Sequence, residues 1–66
     1  MKIYINHKEY EVAEGSTLAQ VLAAQGLDGA GYAVAIGSKV VRRDDRASTV
    51  LSDGDRITVI KAVCGG

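Results

Sequence analysis

Apolar and polar positions alternate along Lys2–Asn6, with Ile3 and Ile5 on one face and Tyr4 on the other. That is the two-residue period of a half-buried strand. Asn6-His7-Lys8 interrupts it, and Glu9–Ala13 alternates again, Tyr10 and Val12 opposing Glu9 and Glu11. Two such runs around a short polar break predict a β-hairpin. The break holds no Asn-Gly pair, so its turn type is open. After Glu14-Gly15-Ser16 the period changes. Thr17 and Gln20 have the spacing of a capping box, in which each side chain serves the other's backbone N–H. Leu18, Val21 and Leu22 recur at helical spacing, among the good helix formers Ala19, Ala23 and Ala24. Gly26 stands where a helix ends in a left-handed residue, with Leu27 placed for the accompanying apolar contact. A short helix is therefore expected over Thr17–Gln25, its stripe packed on the hairpin.

Asp28-Gly29-Ala30-Gly31 reads as a loop. Tyr32–Ile36 then alternates large and small: Tyr32, Val34 and Ile36 belong on the helix, while Ala33 and Ala35 leave the outer surface smooth and apolar. Gly37-Ser38 turns the chain into a short strand, Lys39–Val41. The mixed-charge run Arg42–Arg46 reads as a solvated loop, and Ala47–Leu51 as an irregular turn that tucks in Val50 and Leu51. Asp53-Gly54-Asp55 is a tight turn before a last strand, Arg56–Val63. Its Ile57 and Val59 are assigned to the helix side, which places Ile60 outside, beside Ala33 or Ala35. The expected core is Ile3, Ile5, Val12, Leu18, Val21, Leu22, Val34, Ile36, Ile57 and Val59. The element order is β-β-α-β-β-β. A helix after a hairpin packs across one sheet face, and a last strand parallel to the first leaves both inside the sheet. The expected class is α+β: a ubiquitin-like β-grasp with a mixed sheet of four to five strands on one short helix. The order by itself allows other α+β layouts.

Composition narrows what such a domain can do. Its 66 residues make one domain, 1–66, with 64–66 expected to be a flexible tail. Hydrophobic residues at 47% and charged residues at 24% are globular values. Zero net charge gives no electrostatic footprint for nucleic acid. No run approaches the ~18 apolar residues of a membrane span, and the polar N-terminal stretch is unlike a signal peptide. The cytoplasm is the expected compartment. One histidine and one cysteine, His7 and Cys64, make no conventional metal site. His7, at a hairpin tip, reads as a solvated side chain. So small a core has no deep cleft to desolvate a substrate. The chain reads as a carried co-substrate with no bound cofactor, not as an enzyme.

The chemistry concentrates at Cys64-Gly65-Gly66. Glycines after a strand make a thin tail that can pass close to another surface, although chain ends are also frequently frayed. A terminal carboxylate on Gly66 is ionised at neutral pH and is a poor electrophile until it is activated. Four extended residues reach roughly 13 Å, enough to enter a partner's active site. Ile60, Ala33 and Ala35 form the candidate docking surface beside that tail.

The hairpin, Gly15-Ser16-Thr17-Leu18, Ala33-Val34-Ala35-Ile36, Val40-Val41-Arg42, Asp53-Gly54-Asp55-Arg56-Ile57 and Gly65-Gly66 together resemble the ThiS family. These are β-grasp sulfur carriers of thiamin biosynthesis. The resemblance spans essentially the whole chain. It implies that an E1-like adenylyltransferase of the ThiF type activates the Gly66 carboxylate with ATP and magnesium. Sulfur from a cysteine-desulfurase relay then replaces AMP to give a thiocarboxylate, which supplies a thiazole synthase of the ThiG type. Gly65 and Cys64 belong to the segment that enters the partner's site. The sequence departs from the family pattern in two places: Cys64 stands where a small residue often precedes the glycines, and Val41 meets Arg42 without an intervening proline. Cys64 reads as a spacer, because no cationic neighbour in sequence lowers its thiol pKa. Three rival readings share the fold or the ending. They are the small subunit of molybdopterin synthase, a ubiquitin-like modifier that joins lysines, and a binding module with incidental glycines.

Overall fold

A computed structural model of the chain describes residues 1–29 and 31–61. Strands β1 (Lys2–Ile5) and β2 (Lys8–Glu11) form the first hairpin, and α1 (Leu18–Ala24) follows. Strands β3 (Tyr32–Ile36) and β4 (Lys39–Val41) form a second hairpin. A 3₁₀ helix (Arg43–Ser48) then leads to β5 (Arg56–Lys61). The five strands make one sheet in the order β2-β1-β5-β3-β4. β5 runs parallel to β1 and antiparallel to β3. This is the expected β-grasp: two hairpins side by side, with the last strand inserted between them.

Local chemistry explains each join. The first hairpin closes on Asn6 and His7, with φ of 51° and 71°. Two consecutive left-handed residues give the turn whose twist matches the flanking strands, and asparagine tolerates that conformation better than most. The helix opens on the reciprocal Thr17–Gln20 capping box. It closes on Gly26, where Leu27 N–H donates to the Leu22 carbonyl at 2.8 Å and Gly26 N–H to that of Ala23 at 3.1 Å. That bond pair is the Schellman ending. The Asp53-Gly54-Asp55 turn is clasped to the start of β1. Lys2 N–H donates to Asp53 Oδ1 at 2.8 Å, and Gly54 N–H to the Lys2 carbonyl at 2.7 Å.

One face of the sheet packs on α1. The core contains Ile3, Ile5, Leu18, Val21, Leu22, Val34, Val41, Leu51, Ile57 and Val59. Val12 and Ile36, expected inside, are only half-buried against its margin. The seven-residue helix is only about 10 Å long at 1.5 Å per residue. Val12 lies at its open flank, in a surface groove with Gln20, Val21 and Ala24. Leu51 is buried as expected, but Val50 is 62% exposed. The solvated loop expected over Arg42–Arg46 is instead largely the 3₁₀ helix, and Arg46 is buried. Arg46 Nη2 donates to the Tyr32 carbonyl at 2.9 Å, while its buried Nε has no partner among the described residues.

Candidate functional site

β5 is the element that carries the chain toward its glycines, and its two faces do different work. Ile57 and Val59 are buried toward the helix; Thr58 and Ile60 face outward. The register sets Ile60 opposite Ala33 and Thr58 opposite Ala35 on β3. Across the next pairing, Ala35 sits opposite Val40. Side chains on one face of adjacent strands are neighbours, so Ala33, Ala35, Val40, Thr58 and Ile60 form one shallow surface. Ile60 is 60% exposed and Val40 70%. The alanines cannot bury such neighbours, because a methyl group is too short to cover them.

The sequence pointed to Ile60, Ala33 and Ala35, and the structure brings all three together. It adds Val40, which sequence reasoning missed. In a strand of only three residues, alternation does not say whether Val40 or Val41 is the inward one. The pairing with Ala35 decides it: Val41 is core and Val40 is surface.

The other half of this face is charged. Lys2 and Glu9 approach to 3.7 Å, and the Arg56 guanidinium lies 5.9 Å from the centre of the Tyr4 ring. Both signs are present at the surface, where such pairs contribute little to stability. The outer sheet is thus divided into an apolar part on β3, β4 and the Thr58–Ile60 stretch of β5, and a polar part on β1, β2 and Arg56 at the start of β5.

Two side chains act where strand pairing runs out near the end of β5. The main chain leaves β1 at Asn6, whose N–H donates to the Ile57 carbonyl at 2.9 Å. The Asn6 carboxamide then takes both backbone groups of Val59. Val59 N–H donates to Oδ1 at 2.9 Å, and Nδ2 donates to the Val59 carbonyl at 3.1 Å. On the far side of β3, pairing with β4 stops at Val34, and Arg46 serves the carbonyl of Tyr32 beyond it. Tyr32 itself stands opposite Lys61.

The expected covalent residue Gly66, its neighbour Gly65 and Cys64 lie outside the described residues, as do Ala62, Val63 and Ala30. No cluster of three or more potential metal ligands occurs among the described residues. His7 lines a groove with Tyr4, Gly37, Arg56, Ile57 and Thr58, at the end of β5 away from residue 62. No helix is long and apolar enough to cross a membrane among the described residues.

Comparison with known proteins agrees with this geometry. The ThiS family model matches residues 3–66. The sulfur carrier protein ThiS of Escherichia coli strain K12 is 32% identical over 66 residues, covering all of both chains. The crystal structure of the thiamine biosynthesis protein ThiS from Geobacter metallireducens superposes with a TM-score of 0.84, at 26% identity and with both chains fully covered. A solution NMR structure of a thiamine biosynthesis protein from the same organism gives 0.76 at 26% identity, covering all of this chain and 88% of that one.

Proposed function

Because the chain belongs to the ThiS family, we propose that it is a sulfur carrier of thiamine biosynthesis whose reactive group is the carboxylate of Gly66. The full-length match carries this reading, since it takes in the terminal Cys64-Gly65-Gly66 as well as the folded domain. In this reading residues 1–66 form one carrier domain with 64–66 as its working tail, and the cytoplasm is its compartment. The domain performs no chemistry of its own. An E1-like partner of the ThiF type supplies ATP and magnesium. The Gly66 carboxylate displaces pyrophosphate from ATP to form an acyl-adenylate. A persulfide of a cysteine-desulfurase relay then attacks the acyl-adenylate and displaces AMP, giving an acyl disulfide. A thiol reduces its S–S bond to release the thiocarboxylate, the thiol ending in a disulfide with the relay cysteine. A thiazole synthase of the ThiG type is the acceptor. The apolar patch of Ala33, Ala35, Val40 and Ile60 docks the activating partner, because it is exposed and lies on and beside β5, the strand that precedes the tail in sequence.

Gly65 is the steric guard of the tail: a Cβ there would widen a segment that must pass through a narrow channel. Cys64 is a spacer. The test is intact mass after incubation with ATP, the activating enzyme and a sulfur donor. The wild-type chain should gain the mass difference between sulfur and oxygen. Gly65→Ala should gain it in lower yield at unchanged thermal stability, and a chain lacking Gly66 should not gain it. Cys64→Ala should react normally; loss of yield with adenylation intact would make the thiol a participant. Full yield from the shortened chain would overturn the carrier reading. A ladder of larger adducts would favour a protein modifier.

A further inference from the structure

We infer that Asn6 is a positioning residue for the reactive tail: its carboxamide replaces the strand neighbour that β1 stops providing and fixes the course of β5 just before residue 62. The inference rests on the sulfur-carrier reading above, which makes the direction of that exit matter.

The parallel ladder between β1 and β5 is short, with Tyr4 opposite Arg56 and Ile5 opposite Ile57. Backbone groups of Asp55 and Ile57 turn toward β1 and accept from Tyr4 and Asn6 N–H, each at 2.9 Å. The next groups on that edge belong to Val59, whose side chain is buried. Its N–H and carbonyl need partners, since unpaired backbone groups held away from water are costly. The main chain cannot supply them, because it swings away through left-handed Asn6 and His7. A carboxamide has the same donor and acceptor as a peptide group. The Asn6 side chain therefore continues the ladder by one step after the backbone has left, at 2.9 and 3.1 Å. Lysine, serine or alanine at position 6 would offer at most part of this pairing. The bond joins residues 53 apart in sequence, so it ties the first hairpin to the end of the last strand. Arg46 makes a one-sided version of the same substitution at Tyr32, beyond the end of β4.

Asn6→Gly isolates the carboxamide, because glycine keeps the left-handed turn without strain. Asn6→Asp keeps the acceptor for Val59 N–H and loses the donor. Amide exchange and steady-state adenylation of the full chain, with ATP and the activating enzyme, are measured together. In Asn6→Gly the Val59 amide should exchange about tenfold faster, the effect of one ordinary hydrogen bond. The Tyr4 amide, bonded to Asp55 in the same ladder, should be unchanged. KM for the carrier should rise several-fold at constant kcat, because only molecules with β5 correctly directed are competent. In Asn6→Asp the Val59 amide should exchange at a rate between those of wild type and Asn6→Gly, since the variant keeps the acceptor for the N–H but turns a second oxygen toward the Val59 carbonyl. Equal acceleration at Val59 and Tyr4 would reduce Asn6 to a general stabiliser and overturn the inference. So would faster exchange at Val59 alone with KM unaltered. Failure of the wild-type chain to be adenylated at all would overturn the carrier reading, and the exchange data would still decide whether Asn6 holds β5.

Discussion

Leu22 is fully buried under the sheet, and its carbonyl also receives the Leu27 N–H that closes the helix. Leu22→Ala should cost about 2–5 kcal/mol through lost burial and an uncollapsed cavity. Small domains have only about 5–15 kcal/mol in hand, so the urea midpoint should fall steeply at constant slope. A loss at the lower end of that range would show that the site collapses, and an unchanged midpoint that Leu22 does not belong to the core. Arg46 marks where residue type alone misleads. In sequence it is one of five consecutive charged residues, Arg42 to Arg46, and such runs are ordinarily solvated. Only the fold shows that a 3₁₀ turn aims its guanidinium at a strand carbonyl beyond the end of the β3–β4 pairing. Asn6 is the opposite case: a turn asparagine is easily read from sequence. What it bonds across a separation of 53 residues is not.

The helix ends show an element whose limits were written in the chain. Thr17, Gln20, Gly26 and Leu27 each do what their spacing predicts, because capping is a local interaction. Gly26 has φ 71° and no atom within 4 Å of where a Cβ would stand. Gly26→Ala should therefore cost about 1–2 kcal/mol from backbone conformation alone, read as a lower thermal midpoint with unchanged far-ultraviolet dichroism below the transition. A larger loss would mean that the residue has steric work as well. Strand contents were less legible than helix limits. Val12 and Ile36 lie at the margin of the core and are only partly covered. Val41 is buried by tertiary partners that no local period announces. Val50 stands opposite Thr17 in an isolated bridge whose hydrogen bonds are made by its neighbours Thr49 and Leu51, so it is held in place while its side chain stays in solvent.

At the level of the whole molecule, one strand serves two surfaces. Ile57 and Val59 hold the core, while Ile60 stands on the opposite face. Ile60→Asp should thus weaken binding to the activating enzyme about tenfold or more, the scale of a hot-spot residue, with the thermal midpoint nearly unchanged. Adenylation kinetics identical to wild type would move the docking surface elsewhere. The placement of β5 has a further effect, on the order in which the molecule is made. It is fifth of the five strands along the chain and third of five across the sheet. A nascent chain synthesised only as far as the 3₁₀ helix holds two hairpins with nothing between them, and isolated hairpins are marginal in water. Folding must wait for residues 56–61, whose pairing with β1 closes a loop of some fifty residues. The apolar patch proposed for docking is completed by Ile60 and the clasp on Val59 by the same strand. Translation therefore cannot release a folded domain before the ribosome has reached the threshold of the segment proposed to carry the chemistry.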